Sequence, residues 1–447
     1  MSECENKTNE VATNGKNAAD KNDPELAPDG GWGWVVTFAA LCTTFIVDGI
    51  SFSFGVFYIE LLDYFGESRS LTSWIISVLN GTYHLVGPIA SISVNIFGSR
   101  VTAIAGGIIA SVTFGLCVFS PNVWVMIATY GFLGGFGLGL SYLTSIVTVG
   151  HYFSRKRALA IGIASCGSGI GAFAMAPLSD FLIQSYGWQG AILIIAGITL
   201  NGIPIGAVLR PLEPKSIKNA QITETTNTDN MECNEKSALF DYELLKSPTM
   251  ILFCVAAFLY DMGLFIPLTY LPDHARNLSL TSQQGTMLIS IIGITNTVCR
   301  VIAGWVADRK WSNPNLIKAV LLTTGGVATI AVPWFTVFSV MVFYSVVYGL
   351  CIAVFVTYHA IIITSLFGKD KLNSAYGILL LALGIPSLVG PPIAGAISDH
   401  YGDYNGAFIF AGCMIFASGL LTFPLTLVHK WERQRKQVIY KLESTHL

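Results

Sequence analysis

Long apolar runs separated by short polar segments dominate this chain of 447 residues. A helix needs about 20 apolar residues to cross a bilayer, and twelve runs are close to that length. Because lipid satisfies no backbone polar group, a spanning segment must be a helix or a barrel strand, and these runs are too long and too uniformly apolar for strands. The pattern therefore predicts an all-α integral membrane protein with twelve transmembrane helices. The predicted spans are residues 33–57, 72–94, 101–119, 122–148, 158–180, 189–209, 249–271, 284–306, 317–336, 340–365, 374–397 and 405–428.

The composition agrees with this pattern, since 53% of the residues are hydrophobic and only 12% are charged. Soluble domains carry about 25% charged residues. The sequence contains no metal-ligand cluster, no nucleophile–base pair and no G-x-x-x-x-G-K-[ST] phosphate loop. We therefore expect a gradient-driven membrane protein, not an enzyme, with no cofactor, no metal and no nucleic-acid partner.

The distribution of Lys and Arg predicts the orientation of the spans. Of the 25 cationic residues, 22 fall on the side that holds both termini, two fall on the other side, and Arg300 lies inside a span. Positive residues accumulate in cytoplasmic loops, so both termini are expected in the cytoplasm. A polar loop in the middle of the chain separates two sets of six spans. The expected organisation is a disordered cytoplasmic N-tail 1–29, a six-helix bundle 30–210, a cytoplasmic linker 211–247, a second bundle 248–428 and a cytoplasmic C-tail 429–447.

The two halves resemble each other in sequence. Spans 1 and 7 each carry a central acid followed by glycine and aromatic residues, at Asp48 and Asp261. A Ser-Asp pair, at 179–180 and 398–399, also stands at the end of each of the proline-containing spans 5 and 11. Two parallel six-helix repeats around a central site are the architecture of the major facilitator superfamily. The sequence therefore predicts that fold, in two pseudo-symmetric halves that transport by alternating access.

Ionisable residues inside spans are costly in lipid and indicate functional sites. Arg300 in span 8 can bind a carboxylate with its planar guanidinium, or it can form a structural salt bridge with Asp48 or Asp261. Burial favours a neutral carboxylic acid and a nearby guanidinium favours the carboxylate, so either acid could carry a proton or only balance Arg300. His84 and His359 are further candidates for coupling or gating, although buried histidines are usually only hydrogen-bonded.

Charged residues at the cytoplasmic ends of spans form a second group. Arg155 and Arg157 lie between spans 4 and 5, and Asp308 and Arg309 follow span 8. They can set the topology by facing anionic lipid. Alternatively, they form a cytoplasmic latch by pairing with each other in one access state.

Two motifs carry a resemblance to a known family. Pro28-Asp-Gly-Gly-Trp-Gly-Trp-Val-Val36 precedes span 1, and Tyr152-Phe-Ser-Arg-Lys-Arg-Ala-Leu-Ala-Ile-Gly162 leads into span 5. Over residues 28–428 the chain resembles the monocarboxylate transporter family (solute carrier family 16). The resemblance implies a carrier of small organic acids, in which Arg300 pairs with the substrate carboxylate. Two positions depart from the proton-coupled lactate carriers of that family: Asn296 stands in place of an Asp, and Phe52 in place of a Lys.

We therefore expect a secondary-active or facilitative plasma-membrane transporter of monocarboxylate-type anions, from a divergent branch in which proton symport is one option. Arg300 and Asn296 are expected to bind substrate, while Phe52 and Tyr358 limit its size. An uncoupled or sodium-linked carrier of a neutral or zwitterionic solute, such as an amino acid or a creatine-like molecule, is the alternative. A non-transporting receptor or scaffold is a more remote one. The resemblance also implies an ancillary subunit with a single span and an immunoglobulin-like domain, and Asn277 begins a glycosylation sequon.

Overall fold

The structure, a computed structural model, describes residues 30–153, 156–210, 244, 246–307, 309, 312–367 and 372–445. Helices form almost all of this part of the chain, and it contains no strand. The helices of the first half are α1 (Trp32–Phe65), α2 (Arg69–Leu85 continued by Gly87–Phe97), α3 (Ser99–Cys117), α4 (Val123–Met126, Ile127–Gly134 and Gly135–Tyr152), and α5 and α6, which share Arg157–Thr199, with Gly202–Val208 extending α6. Those of the second half are α7 (Pro248–Asn277), α8 (Ser282–Ala307), α9 (Pro314–Ile330), α10 (Phe338–Phe367), α11 (Leu372–Tyr401), α12 (Asn405–Thr422) and α13 (Leu425–Thr445).

Three of these helices are interrupted. The two pieces of α2 meet at an angle of 50° beside Pro88, whose ring prevents a regular continuation. A π-helical segment, Ile127–Gly134, widens α4. The long helix Arg157–Thr199 breaks at Gly187, where φ is 70° and ψ is 173°, a conformation that only glycine adopts without strain. We take Gly187 as the boundary between α5 and α6.

With these breaks, the described helices agree with twelve spans. Nine helices are long and apolar enough to cross a membrane, and the bent α2 makes a tenth. Gly187 divides one of the nine into two spans, and the shorter apolar helix Pro314–Ile330 supplies the last. The prediction of an all-α membrane protein is confirmed. The sequence did not predict that α13 continues as a helix through most of the expected C-tail.

The two sequence motifs pack against each other at the side where α1 begins, which we call the terminal side. Trp34 meets Phe153 edge-on, with ring centroids 5.0 Å apart. Trp32 donates from Nε1 to the carbonyl of Val208 at 3.1 Å, and Tyr152 donates to the carbonyl of Arg210 at 2.9 Å. The motifs therefore fasten α1, α4 and the end of α6 together. They do not line the centre of the protein.

Three helix pairs join the first half to the second: α2 with α11, α5 with α8, and α1 with α7. Small residues permit the closest contacts. At the crossing of α5 and α8, a Cβ added to Gly293 would lie 2.5 Å from the backbone nitrogen of Phe173, and one added to Gly169 would lie 2.7 Å from the carbonyl of Gly293. Close approach of backbones through small residues is the usual way in which helices pack in lipid.

The helix α13 docks on the start of α7 through a buried acid. The carboxylate of Glu432 accepts hydrogen bonds from the hydroxyls of Ser247, at 2.8 Å, and Thr249, at 2.6 Å, and from the backbone nitrogen of Thr249 at 3.3 Å. A negative charge beside the first backbone N–H groups of a helix is favourable. This contact holds the extra helix at the terminal side.

Candidate functional site

The ionisable residues predicted inside the spans lie well within the helices. Asp48 lies near the middle of α1 and Asp261 near the middle of α7, while Arg300 lies about two turns before the end of α8. His84 is close to the end of the first piece of α2, immediately before the bend. Together these residues form a polar belt between the halves.

Arg300 is 7% exposed and donates three hydrogen bonds, all to uncharged oxygens. Its Nε donates to Oδ1 of Asn296 at 2.9 Å, one turn earlier on α8. Its Nη1 donates to the carbonyl of Ser165 at 2.7 Å, and its Nη2 to the hydroxyl of Ser168 at 3.2 Å, both on α5. The guanidinium therefore links α8 of the second half to α5 of the first.

Asp48 is near this cluster but is not bonded directly to Arg300. Its carboxyl group interacts with the hydroxyls of Ser168 and Tyr83, and Arg300 acts on it through space. The one ion pair within 4 Å among the described residues joins Arg276 and Asp63, far from the site. A direct salt bridge from Arg300 to Asp48 or Asp261, one of our two expectations, is therefore not formed in this structure. Ser168 is instead a shared partner of the acid and the guanidinium.

Asp261 belongs to a second polar cluster, between α7, α11 and α2. The hydroxyl of Ser387 on α11 bonds to Oδ2 of Asp261 and lies 3.3 Å from Nδ1 of His84. The same Nδ1 is 2.8 Å from the carbonyl of Asn80, whose side-chain Oδ1 accepts from Ser51 on α1. Two of the predicted gating residues, Asp261 and His84, are thus connected through a serine that the sequence did not single out.

Aromatic rings flank the polar belt. Phe52 lies against Phe265 of α7, with ring centroids 6.2 Å apart, so it is part of the contact between the halves. Tyr260 stacks on Phe355 at 3.6 Å, and Tyr358 is buried nearby on the same helix as Phe355. Phe52 therefore lies at the contact between the halves, while Tyr358 lies in the packed interior of the second half.

His359 lies apart from the polar belt. Its ring meets those of Phe355 and Phe253 edge-on at 4.1 Å and 5.3 Å. The buried ammonium of Lys318 on α9 faces the same two phenylalanines at 5.1 Å and 4.8 Å. The structure therefore places His359 in an aromatic and cationic cluster within the second half, separate from Arg300.

The predicted cytoplasmic latch is mostly beyond the described residues. Arg155 and Asp308 lie outside the described part of the chain, and so does the side chain of Arg157. Arg309 is described, and its guanidinium stacks on the ring of Trp305 at 4.2 Å.

A set of polar contacts closes the side of the protein where α1 ends, which we call the gate side. The carboxylate of Asp399, at the end of α11, accepts from the backbone nitrogens of Arg69 and Ser70, both at 2.9 Å. Arg69 donates from Nη1 to the carbonyl of Ser398 at 2.9 Å. In the equivalent pair of helices, Asp180 of α5 accepts from the hydroxyl of Ser282 on α8 at 2.8 Å. The Ser-Asp pairs noted in the sequence therefore make matching contacts between the halves.

The hydrogen bonds that join the halves run from the level of Arg300 to the gate side. Among the described residues, these bonds therefore close the halves against each other between the polar belt and the gate side.

Sequence reasoning found the charged members of the site but missed the hydroxyl groups that connect them. Ser165, Ser168 and Ser387 were not selected, because single serines in apolar helices usually bond to their own backbone. Ser165 and Ser168 are one helical turn apart, and Ser387 follows Pro386; these were the available signals in the sequence. Only the packing of α5 on α8 and of α2 on α11 shows their partners.

Comparison with known proteins identifies this architecture. The sequence model of the Major Facilitator Superfamily matches residues 39–339 and 253–438. Monocarboxylate transporter 12 of Xenopus laevis is 32% identical over 408 residues, which cover 88% of this chain and 89% of that protein. The chain belongs to the monocarboxylate transporter family. Monocarboxylate transporter 4 of Gallus gallus is also 32% identical, over 88% of this chain and 83% of its own length. Monocarboxylate transporter 9 of Pongo abelii is 29% identical, over 94% of this chain and 98% of its own length.

Membership of this family establishes the general function. The chain is a multi-pass transmembrane transporter with the major facilitator fold, and it is not an enzyme. Its partners include a small-molecule solute and the lipid bilayer. The family assignment agrees with the resemblance that the two motifs indicated.

Proposed function

We propose that this transporter carries small monocarboxylate-type organic anions by alternating access, with Arg300 as the group that binds the solute carboxylate. The observation that supports this proposal is a buried guanidinium whose hydrogen-bond acceptors are all uncharged among the described residues. Asp48 acts on it only through space, and a transported anion would supply a counter-charge in direct contact. The relatives named as monocarboxylate transporters favour the same class of solute.

The hydrogen-bond count leaves room for a carboxylate. A guanidinium has five N–H groups, and three of them are used by Asn296, Ser165 and Ser168. One N–H remains on each terminal nitrogen, which is the number that a carboxylate engages when it binds bidentately. Asn296 contributes a further donor, because its buried Nδ2 has no acceptor among the described residues.

Arg300 also links the halves, and this role is compatible with solute binding. Its bonds to α5 hold α8 of the other half in place. A carboxylate that competes for Nη1 and Nη2 would weaken those bonds and free the halves to rock. Arg300 would then serve in turn as a structural link in the empty carrier and as a binding group in the loaded one.

Coupling to protons would use acids other than the family's usual one. Asn296 and Phe52 cannot exchange protons, so a proton symport would depend on Asp48, Asp261 or His84. His359 is a weaker candidate in our proposal, since it lies in a separate cluster.

A carrier of zwitterionic solutes is the second candidate, and the two acids favour it. Neither Asp48 nor Asp261 has a cation within 4 Å among the described residues. An amino acid or a creatine-like solute could place its carboxylate on Arg300 and its cationic group near one of them. Sodium could occupy the same position in a coupled cycle.

The proposal includes a plasma-membrane location with both termini in the cytoplasm, as the distribution of Lys and Arg indicates. In that orientation the closed gate side would face outward. We retain the division of the chain at residues 211–247 and the cytoplasmic latch as parts of this proposal. An immunoglobulin-like ancillary subunit is also proposed, from the family resemblance alone.

Radiolabelled uptake is the experiment that tests this proposal. Organic acids, amino acids and creatine-like solutes are compared at two pH values, with and without sodium, in cells that express the wild type, Arg300→Ala or the control Arg433→Ala. We expect an anionic solute whose uptake is lost in Arg300→Ala and kept in Arg433→Ala, at equal surface expression. Uptake that is the same in both variants would contradict the role of Arg300, and uptake confined to zwitterions would favour the second candidate.

A further inference from the structure

Three side chains from both halves of the protein form a continuous hydrogen-bonded chain. His84 comes from α2, Ser387 from α11 and Asp261 from α7. Asp261 is 1% exposed and Ser387 is fully buried, whereas His84 is only partly buried. The hydrogen-bonded series therefore runs from a partly exposed imidazole to an acid in the packed interior.

The partners of each atom define the direction of the hydrogen bonds. The carbonyl of Asn80 can only accept, so Nδ1 of His84, 2.8 Å away, carries the proton. A neutral imidazole then has its lone pair on Nε2. The hydroxyl of Ser387 lies against Oδ2 of Asp261 and also faces the Leu383 carbonyl at 3.0 Å. When its single proton is directed to Oδ2, the Ser387 oxygen can accept from Nδ1. In that arrangement the donors point from His84 toward Asp261.

Two acids lie in this region, and Asp261 is the one that has no cation close to it among the described residues. Among the described residues, Arg300 of α8 acts on Asp48 of α1, which also bonds to Tyr83 of α2. The other titratable groups nearby are tyrosine hydroxyls and one thiol: Tyr83 of α2, Tyr142 of α4, Tyr260 of α7, and Tyr344, Tyr348 and Cys351 of α10.

We propose that His84, Ser387 and Asp261 form a proton relay that loads Asp261 from water at the partly exposed face of His84. A proton from water binds Nε2 of His84, the Nδ1 proton passes to the oxygen of Ser387, and the Ser387 proton passes to Oδ2 of Asp261. The result is a neutral Asp261, a neutral His84 protonated on Nε2 and an unchanged Ser387. One proton is gained, and no other bond changes. This inference deepens the proposed carrier function by naming its proton site.

The relay also depends on the conformation of the carrier. His84 and Ser387 meet where α2 packs on α11, with Gly81 against Leu388 and Gly384 against Leu85. If the halves rock to open the gate side, these helices separate at that contact, and Asp261 loses its connection to His84. A proton taken up in the present state would therefore stay on Asp261 during the change of access.

Time-resolved infrared spectroscopy of the purified full chain in lipid tests the relay. After a rapid drop in pH, we expect a carboxylic acid C=O band that is absent in Asp261→Asn. Because a positioned proton-transfer group contributes roughly 100-fold or more to a rate, Ser387→Ala should slow the appearance of this band by about that factor. Ser387→Thr keeps the hydroxyl and should restore most of the rate.

A matched control and a second variant keep the test decisive. Ser398 is a buried serine of the same helix whose hydroxyl bonds only to the Ala394 carbonyl among the described residues, so Ser398→Ala should behave like the wild type. His84→Gln removes the titrating ring and should slow the band as Ser387→Ala does. A band that persists in Asp261→Asn, or that rises equally fast in Ser387→Ala and the wild type, would overturn the relay. No solute is needed, so this test can fail while the anion-carrier proposal holds, and the reverse.

Discussion

Removal of the Asp399 carboxylate should open the gate side of the protein more often. In the structure this group accepts two backbone hydrogen bonds at 2.9 Å, from Arg69 and Ser70 at the first turn of α2. An acceptor at a helix N-terminus is worth about 0.5–2 kcal/mol. Because Asp399 is exposed, solvent weakens the electrostatic part of this interaction. We therefore take about 1.4 kcal/mol as the loss of closed-state stability in Asp399→Ala. The ratio of closed to open gate should then fall about tenfold.

Distances between two spin labels across the gate side measure this ratio. Glu67, before α2, and Gln283, at the start of α8, are exposed and belong to different halves, so each can carry a label in a background without native cysteines. Asp399→Ala should add or enlarge a population with a longer distance. Asp403→Ala is the matched control, because that neighbouring acid bonds only to Asn405 of its own loop among the described residues. Equal distance distributions in Asp399→Ala and the wild type, or an equal shift in Asp403→Ala, would show that the Asp399 contacts do not hold the gate side closed.

Two further predictions concern packing. Gly293→Ala places a Cβ 2.5 Å from backbone of the other half, so the thermal unfolding temperature should fall in line with an overpacking cost of about 1–3 kcal/mol, whereas Gly304→Ala, in open space, should leave it unchanged. Equal unfolding temperatures of Gly293→Ala and Gly304→Ala would contradict the close contact of α5 and α8 at Gly293. Glu432→Ala removes the acceptor at the start of α7, so hydrogen exchange there should accelerate about fivefold, which corresponds to about 1 kcal/mol. Arg433→Ala serves as its control, and unchanged exchange in Glu432→Ala would show that α13 does not hold α7.

The sequence predicted the spans well because each needs a long apolar run, and such a run can be recognised without knowing how the helices pack. It predicted less well where backbone geometry interrupts a run. The break at Gly187 fell where a loop was expected, but the bend of α2 beside Pro88 and the π-helical segment of α4 were not foreseen. Both depend on the local backbone conformation, which the hydropathy of the sequence does not indicate.

The candidate site shows the same division. Arg300, Asp48 and Asp261 were found because a charge inside a span is rare and costly. Asn296, one turn from Arg300, was also singled out, but the hydroxyl partners were not, since Ser168 is 132 positions from Arg300 and Ser387 is 126 positions from Asp261. Pairing across the halves depends on how the helices pack, and a serine in an apolar run gives no signal of it. This is why the sequence suggested direct salt bridges and the structure shows hydroxyl groups between the charges.

The proposed pairing of Arg300 with the solute carboxylate can be tested directly with a thermodynamic cycle. Binding to the purified transporter is compared for a transported carboxylate and its uncharged amide, each with the wild type and Arg300→Gln. A hydrogen bond to a charged group is worth about 1.5–3 kcal/mol. Loss of the carboxylate should therefore weaken binding at least tenfold in the wild type and little in Arg300→Gln. If the two changes are independent of each other, the guanidinium does not contact the solute, and Arg300 only joins α5 to α8.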